Sequence, residues 1–156
     1  TSPDDLYLAM RGIRTLSVRL QQHQASALKI ANWLSSRAEV ETILHPALPS
    51  CPGHEFFERD FTGSNGLFSF VLTKGNQAAL TAFLDGMEHF KMGYSWGGFE
   101  SLILGISNVK KMRTVTDWPY EFPLIRLHVG LENVDDLIED LEQGFARFNE
   151  VLAQNT

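Results

Sequence analysis

Apolar residues recur every three to four positions along the first quarter of the chain and predict a long amphipathic helix. Ser2 is placed to cap this helix, Pro3 suits its first turn, and no further proline occurs before Pro46. One helix over residues 3–37 would be about 50 Å long, which exceeds the diameter of a small domain. We therefore expect it to contact another domain or subunit. Its predicted apolar stripe consists of Leu6, Met10, Ile13, Leu16, Leu20, Ala27, Ala31 and Leu34.

Beyond this helix, short apolar runs alternate with segments of helical spacing. The runs predict strands at 40–44, 67–72 and 124–129 and a short strand-like segment at 90–94. Helical spacing predicts elements at 54–60, 77–89 and 107–113, and a final helix capped by Asn133. Because these elements lack strict βαβ alternation, they predict an α+β fold. It would have a mainly antiparallel sheet of about three to four strands, with helices packed on one face and the long helix in front.

The strand at 124–129 places a charged side chain among apolar ones. Arg126 and His128 share one face with Leu124, whereas Ile125, Leu127 and Val129 share the other. A guanidinium in such a place must reach water or an anion, and arginine binds a carboxylate through two parallel hydrogen bonds. Alternatively, Arg126 forms a structural ion pair or extends along the sheet to water. His128 is interpreted as a hydrogen-bonded core or interface residue rather than a catalyst.

A second distinctive segment runs from residue 93 to residue 102. It presents Ser95 and Trp96 immediately before Gly97 and Gly98, which permit backbone angles closed to other residues. Polar groups displayed at such a turn are typical of a binding site. The alternative is a tight turn between two elements, with Trp96 filling the core.

Composition narrows the possible partners. The net charge of −6 and the absence of a basic block argue against nucleic acid. No apolar run approaches the ~20 residues that span a bilayer, and the histidines lack metal-ligand spacing. The single cysteine, Cys51, suits a reducing compartment, so a cytoplasmic location is expected. The polar, acidic start does not resemble a signal peptide, and because it is not methionine we expect that something preceded Thr1.

Five segments together carry a family resemblance. Residues 94–102 and 124–132, and the shorter motifs at 11–16, 52–54 and 60–63, resemble in the same order the C-terminal region of the pyridoxal-phosphate enzymes of cysteine and methionine metabolism. The resemblance covers essentially the whole chain. It implies that residues 1–156 form the small C-terminal domain, with a connecting helix at 3–37 and an α+β body at 40–156. The large cofactor-binding domain would be absent, and the family resemblance implies a homo-oligomer.

The resemblance also implies a substrate and roles for three residues. In the family, the arginine matching Arg126 holds the α-carboxylate of the amino-acid substrate, helped by the residues matching Ser95 and Trp96. The tryptophan that follows the serine, Trp96, resembles the residue found at this position in the family members that cleave cystathionine by β-elimination. That reaction gives homocysteine, pyruvate and ammonia. Relatives that act at the γ carbon carry leucine there. A γ-lyase or synthase of the same family, or a non-catalytic interaction module, remains the alternative.

The cofactor, pyridoxal phosphate, is expected only in a longer parent. The family attaches it to a lysine that follows a Ser-x-Thr sequence. Only Lys74 follows a threonine here, and it precedes a Gly-Asn turn. We therefore predict no catalytic, cofactor-binding or metal-binding residue in this chain, which would be inactive alone.

Overall fold

The computed structural model describes residues 1–112 and 114–154. The helices are α1 (Pro3–Arg14), α2 (Leu16–Leu34), α3 (His54–Asp60), α4 (Gln77–Asp85), α5 (Val109–Met112) and α6 (Val134–Gln154). The strands are β1 (Val40–Leu44), β2 (Leu67–Leu72), β3 (Lys91–Met92), β4 (Leu102–Ile106) and β5 (Leu124–His128). The fold is α+β, as predicted. Residue 113, the last of the helix predicted at 107–113, lies outside the described residues. The same is true of residues 155–156, the end of the domain predicted at 1–156.

The strands form one five-stranded sheet in the order β1-β2-β5-β4-β3. The pairings β1–β2, β2–β5 and β4–β5 are antiparallel, whereas β3 runs parallel to β4. The sheet is therefore mixed, and it has five strands where three to four were predicted. Strand β3, Lys91 and Met92, lies within the strand-like segment predicted at 90–94, whereas β4 was not predicted as a strand. The pairing of β3 depends on β4, and the Lys91 amide donates to the Ser101 carbonyl at 3.1 Å.

The predicted continuous helix over 3–37 is two helices that meet at Thr15. The Gly12 carbonyl accepts from the Thr15 amide at 3.2 Å and from Arg19 Nη2 at 2.7 Å. An uninterrupted α-helix would pair that carbonyl with the amide of Leu16. The second helix ends at Leu34, and the Ser36 and Arg37 amides donate to carbonyls three residues back. Local hydrogen bonds therefore interrupt the helix, although the spacing of its apolar residues is continuous.

Helices α2, α4 and α6 cover one face of the sheet, as predicted. Phe83 on α4 meets Phe145 on α6 edge-on, with ring centroids 4.9 Å apart, and Phe145 also lies 6.2 Å from Phe70 of β2. The final helix begins where the sequence indicated, because the Asp135 amide donates to Asn133 Oδ1 at 2.9 Å. The remaining core residues include Ala27, Ile30, Leu34, Leu80, Ile103, Ile125, Leu127 and Leu141.

The first helix is different, because it contributes nothing to this core. None of its residues is buried, and Leu6 and Ile13 are 55% and 68% exposed. No helix among the described residues is both long and apolar enough to cross a membrane.

Candidate functional site

Arg126 lies at the centre of the sheet face that the helices leave open. Its strand neighbours Ile125 and Leu127 are fully buried against the helices, so the predicted alternation is confirmed. In register, Arg126 is flanked by Ser69 of β2 and Leu104 of β4. The side chain is half-buried. Its guanidinium therefore rises from the middle of the sheet toward the segment that connects β3 to β4.

That connecting segment supplies neutral hydrogen-bond acceptors to the guanidinium. Arg126 Nη2 donates to the carbonyls of Gly93 at 3.2 Å, Tyr94 at 2.9 Å and Ser95 at 3.4 Å. Its Nε is buried and has no partner among the described residues. Within the described residues, no carboxylate lies within ion-pair distance of Arg126. The alternative of a structural ion pair therefore finds no support, and the charge is oriented by dipoles without being neutralised.

The turn after β3 displays its side chains instead of burying them. Trp96 is 58% exposed and Tyr94 is 86% exposed, while Ser95 is also exposed. The alternative of Trp96 as a core residue is therefore wrong. Gly97 has a φ of 87°, a left-handed value that favours glycine. The turn is real, but it presents its tryptophan to solvent beside Arg126.

The histidine of β5 holds this turn against the sheet. His128 is 2% exposed, and its Nε2 lies 3.1 Å from both the Gly97 nitrogen and the Gly98 oxygen. Its Nδ1 lies 3.4 Å from the same Gly97 nitrogen. The interpretation of His128 as a hydrogen-bonded buried residue is confirmed. Its contact with the turn was not predicted, because thirty residues separate the two in sequence.

Burial is the main reason that the pKa of His128 lies below its ordinary value. The hydrogen bond to the Gly98 carbonyl and the charge of Glu132 oppose this shift, whereas His23 and Arg126 reinforce it. The rings of His23 and His128 lie 5.3 Å apart. The neutral imidazole is therefore the favoured form at this position.

A second attachment holds the far end of the turn. The Glu132 carboxylate accepts from the amide and the hydroxyl of Ser101, each at 2.7 Å, and Ser101 Oγ accepts from the Gly130 amide at 2.8 Å. The Leu131 amide donates to the Phe99 carbonyl at 2.8 Å. A Cβ on Gly130 would lie 2.2 Å from that carbonyl oxygen, which explains the glycine. Sequence reasoning missed Ser101 and Glu132 as partners, since neither carries a local signal.

The lysines of the chain lie at its surface. Lys29, Lys74, Lys91, Lys110 and Lys111 are all exposed, which is not the buried setting of a Schiff-base lysine. Lys29 pairs with Asp135, and Lys91 Nζ donates to the Glu88 carbonyl at 2.6 Å. Among the described residues there is no cluster of three or more His, Cys, Asp or Glu side chains able to hold a metal.

Comparison with known proteins agrees with the family resemblance of the sequence motifs. A sequence profile of the Cys/Met metabolism PLP-dependent enzymes matches residues 1–146. The chain is 54% identical over 147 residues to cystathionine beta-lyase of Haemophilus influenzae, and 53% identical over 147 residues to cystathionine beta-lyase MetC of Escherichia coli K12. Each match covers 92% of this chain but only 37% of the relative.

The fold shows the same relationship. A crystal structure of cystathionine gamma synthase from Xanthomonas oryzae pv. oryzae in complex with cystathionine superposes with a TM-score of 0.81 and 35% identity. That superposition covers 96% of this chain and 39% of the synthase chain. The chain thus spans well under half the length of the relatives that it matches, and on these matches it belongs to the Cys/Met metabolism PLP-dependent enzyme family.

Proposed function

We propose that this chain is the substrate-binding C-terminal domain of a cystathionine beta-lyase, with residues 3–37 connecting it to a large cofactor domain. The observation that carries the proposal is Arg126, a guanidinium that lacks a carboxylate partner among the described residues and lies beside an exposed Ser95-Trp96 turn. A free amino acid offers a carboxylate for such a group to bind. The substrate would be cystathionine.

In this proposal each of the three residues has a separate task. Arg126 binds the α-carboxylate, and its own orientation is set by the carbonyls of the turn. Ser95 adds a hydroxyl donor, and Trp96 adds an indole N–H and a flat apolar surface. Because Ser95 is joined to the guanidinium through its carbonyl, carboxylate binding and placement of the turn are coupled. The substrate is thereby held in one orientation.

The chemistry itself needs pyridoxal phosphate, which the family uses as an electron sink when it is bound. Since the lysines described here are exposed, we propose that the cofactor is held by a part of the protein beyond this segment. The chain alone would then be inactive. It would act in the cytoplasm, since a single cysteine, Cys51, needs no oxidising compartment.

The β-lyase assignment rests on Trp96 and on the high identity to the two β-lyases described above. A γ-lyase or γ-synthase is the competing function, because the superposed structure is a γ-synthase. An assembly module is also supported by the exposed apolar residues of α1. A β-lyase and a γ-lyase differ in which carbon–sulfur bond of cystathionine they break.

The test is to incubate the full-length protein that contains this segment with cystathionine and identify the thiol released. Cleavage at the β carbon releases homocysteine together with pyruvate and ammonia. Cleavage on the other side of the sulfur releases cysteine. Homocysteine as the dominant thiol is expected. Cysteine would assign a γ-lyase, and no thiol from a cofactor-loaded protein would leave synthesis or assembly as the function.

A further inference from the structure

The contact between His128 and the Gly97-Gly98 turn has a consequence for substrate binding. The turn that carries Ser95 and Trp96 is attached to the sheet next to Arg126 through this ring. We propose that His128 is a positioning residue, which holds the Ser95-Trp96 turn in its substrate-binding arrangement while its imidazole is neutral and holds it more weakly when it is protonated. This inference rests on the proposed function of Ser95 and Trp96.

Hydrogen-bond chemistry selects one tautomer of the ring. A single nitrogen cannot both accept from the Gly97 amide and donate to the Gly98 carbonyl. With the proton on Nε2, the ring donates to Gly98 at 3.1 Å and leaves Nδ1 to accept from Gly97 at 3.4 Å. Both groups of the turn are then satisfied. A second proton on Nδ1 would point at the Gly97 N–H, so the imidazolium loses one of the two contacts.

The surroundings of the ring oppose the second proton. His23 on α2 lies 5.3 Å away, ring centroid to ring centroid, and Arg126 shares the face of β5; both disfavour another positive charge. Glu132 is the charged group that favours it. Burial also disfavours the second proton, and the pKa of His128 is lowered accordingly. The attachment is therefore complete at neutral pH and weakens in acid.

The neighbouring histidine limits how the site can respond. His23 Nδ1 lies 2.7 Å from the Val129 carbonyl and must carry a proton to donate to it. Its Nε2 is buried without a partner among the described residues. His23 bonds to the backbone of residue 129, whereas His128 bonds to the turn itself, so His128 is the ring that links protonation directly to Ser95 and Trp96.

Kinetics of the full-length protein separate positioning from simple stabilisation. His128→Ala removes both contacts and should raise KM for cystathionine about tenfold at pH 8, while kcat changes less than about twofold. His128→Gln keeps a donor and an acceptor without titrating, so KM should return to within about threefold of the parent. In the unsubstituted protein, KM for cystathionine should rise as the pH is lowered. This rise should be absent in His128→Gln. The control is His89→Gln, an exposed histidine bonded through its backbone amide, which should leave the KM profile unchanged.

A spectroscopic readout is independent of activity. The protein is labelled with 5-fluorotryptophan, and the Trp96 fluorine signal is identified by its loss in Trp96→Phe. We expect this signal to shift and broaden as the pH is lowered, and expect His128→Gln to abolish that titration. The signals of Trp33 and Trp118 serve as internal references for global unfolding.

The outcomes are distinguishable. A Trp96 titration that survives His128→Gln, or a KM that is unaltered in His128→Ala, would overturn the positioning role. If the protein does not cleave cystathionine, the proposed function fails, but the fluorine titration still decides whether His128 holds the turn. If cleavage occurs and the titration is absent, only the positioning role fails.

Discussion

Glu132 and Ser101 are joined by two hydrogen bonds of 2.7 Å, one from the serine amide and one from its hydroxyl, both accepted by the carboxylate. Ser101 is fully buried and precedes β4, whereas Glu132 follows β5. The pair therefore ties the end of the Ser95-Trp96 segment to the start of the α6 region.

Removing this carboxylate should destabilise the fold. Glu132→Ala leaves a buried amide and hydroxyl without their charged acceptor, which costs about 2–3 kcal/mol of unfolding free energy. Glu132→Gln should lose roughly half as much, since its amide oxygen still accepts. Denaturant unfolding measures both. The control is Glu150→Ala, an exposed position on α6 where a change within about 0.5 kcal/mol is expected; equal losses at the two sites would contradict the role of the pair.

Arg126 should matter for substrate binding more than for folding. In the full-length protein, Arg126→Ala should raise KM for cystathionine and lower kcat/KM by about 30-fold to several thousand-fold. This corresponds to the roughly 2–5 kcal/mol lost when one partner of a desolvated charge pair is truncated. Arg126→Lys should restore only part, because lysine keeps the charge and loses the fork. Some fall in kcat should accompany the loss, since the same contact sets the substrate's orientation.

The measurement that decides this prediction combines kinetics with stability. KM, thermal midpoint and cofactor absorbance are recorded on the same Arg126→Ala protein. A substrate-binding arginine changes KM and leaves cofactor absorbance nearly unchanged. A structural arginine instead lowers the thermal midpoint and cofactor retention together, with KM unchanged in the enzyme that survives.

The isolated 156-residue chain should neither attach pyridoxal phosphate covalently nor cleave cystathionine. The reason is that its lysines are exposed and Lys74 follows no Ser-x-Thr sequence. Borohydride reduction after incubation with the cofactor, followed by peptide mapping, should recover only sparse labelling spread over the surface lysines. A stoichiometric adduct on Lys74 would show that the cofactor site is within this chain.

The first helix should drive association of the isolated chain. Its apolar residues have no cover in the monomer, and Leu6 and Ile13 are both more than half exposed. We expect sedimentation to show dimers or larger species as concentration rises. The double variant Leu6→Glu and Ile13→Glu should abolish association without lowering the thermal midpoint, since neither side chain is in the core. A compact monomer at high concentration, across salt, would contradict this prediction.

Stability should fall in acid partly through His45. This ring is fully buried, and burial lowers its pKa, with a backbone hydrogen bond opposing the shift in part. Between the lowered and the ordinary pKa the unfolded chain binds more protons than the folded one, so the unfolding free energy decreases as pH falls below ~6.5. His128 acts in the same direction.

The test of this pH dependence uses slopes, which are independent of any constant destabilisation. His45→Asn keeps an acceptor for the Ala47 amide, which bonds to His45 Nδ1 at 3.2 Å, and cannot titrate. The slope of unfolding free energy against pH below ~6.5 should be reduced in His45→Asn. It should be unchanged in His89→Gln, an exposed histidine. An unaltered slope in His45→Asn would assign the acid sensitivity to other groups.

Features set by neighbouring residues were predictable from the sequence. The alternation of Ile125 and Leu127 against Arg126 follows from the two-residue period of a strand, and the start of α6 follows from Asn133, whose side chain bonds two residues ahead. The α+β class and the family likewise follow from periodicity and from motifs that lie intact in the chain. In each case the information lies within a few residues.

Tertiary structure alone decided the features that join distant segments. The parallel pairing of β3 with β4, the contact of His128 with the Gly97-Gly98 turn and the Ser101–Glu132 pair all depend on how the sheet brings its strands together. A histidine or glutamate carries no local sign of a partner some thirty residues away, because hydrogen bonding depends on distance in space. The sequence therefore indicated Arg126, Ser95 and Trp96 as candidates, and the fold showed which neighbours orient them.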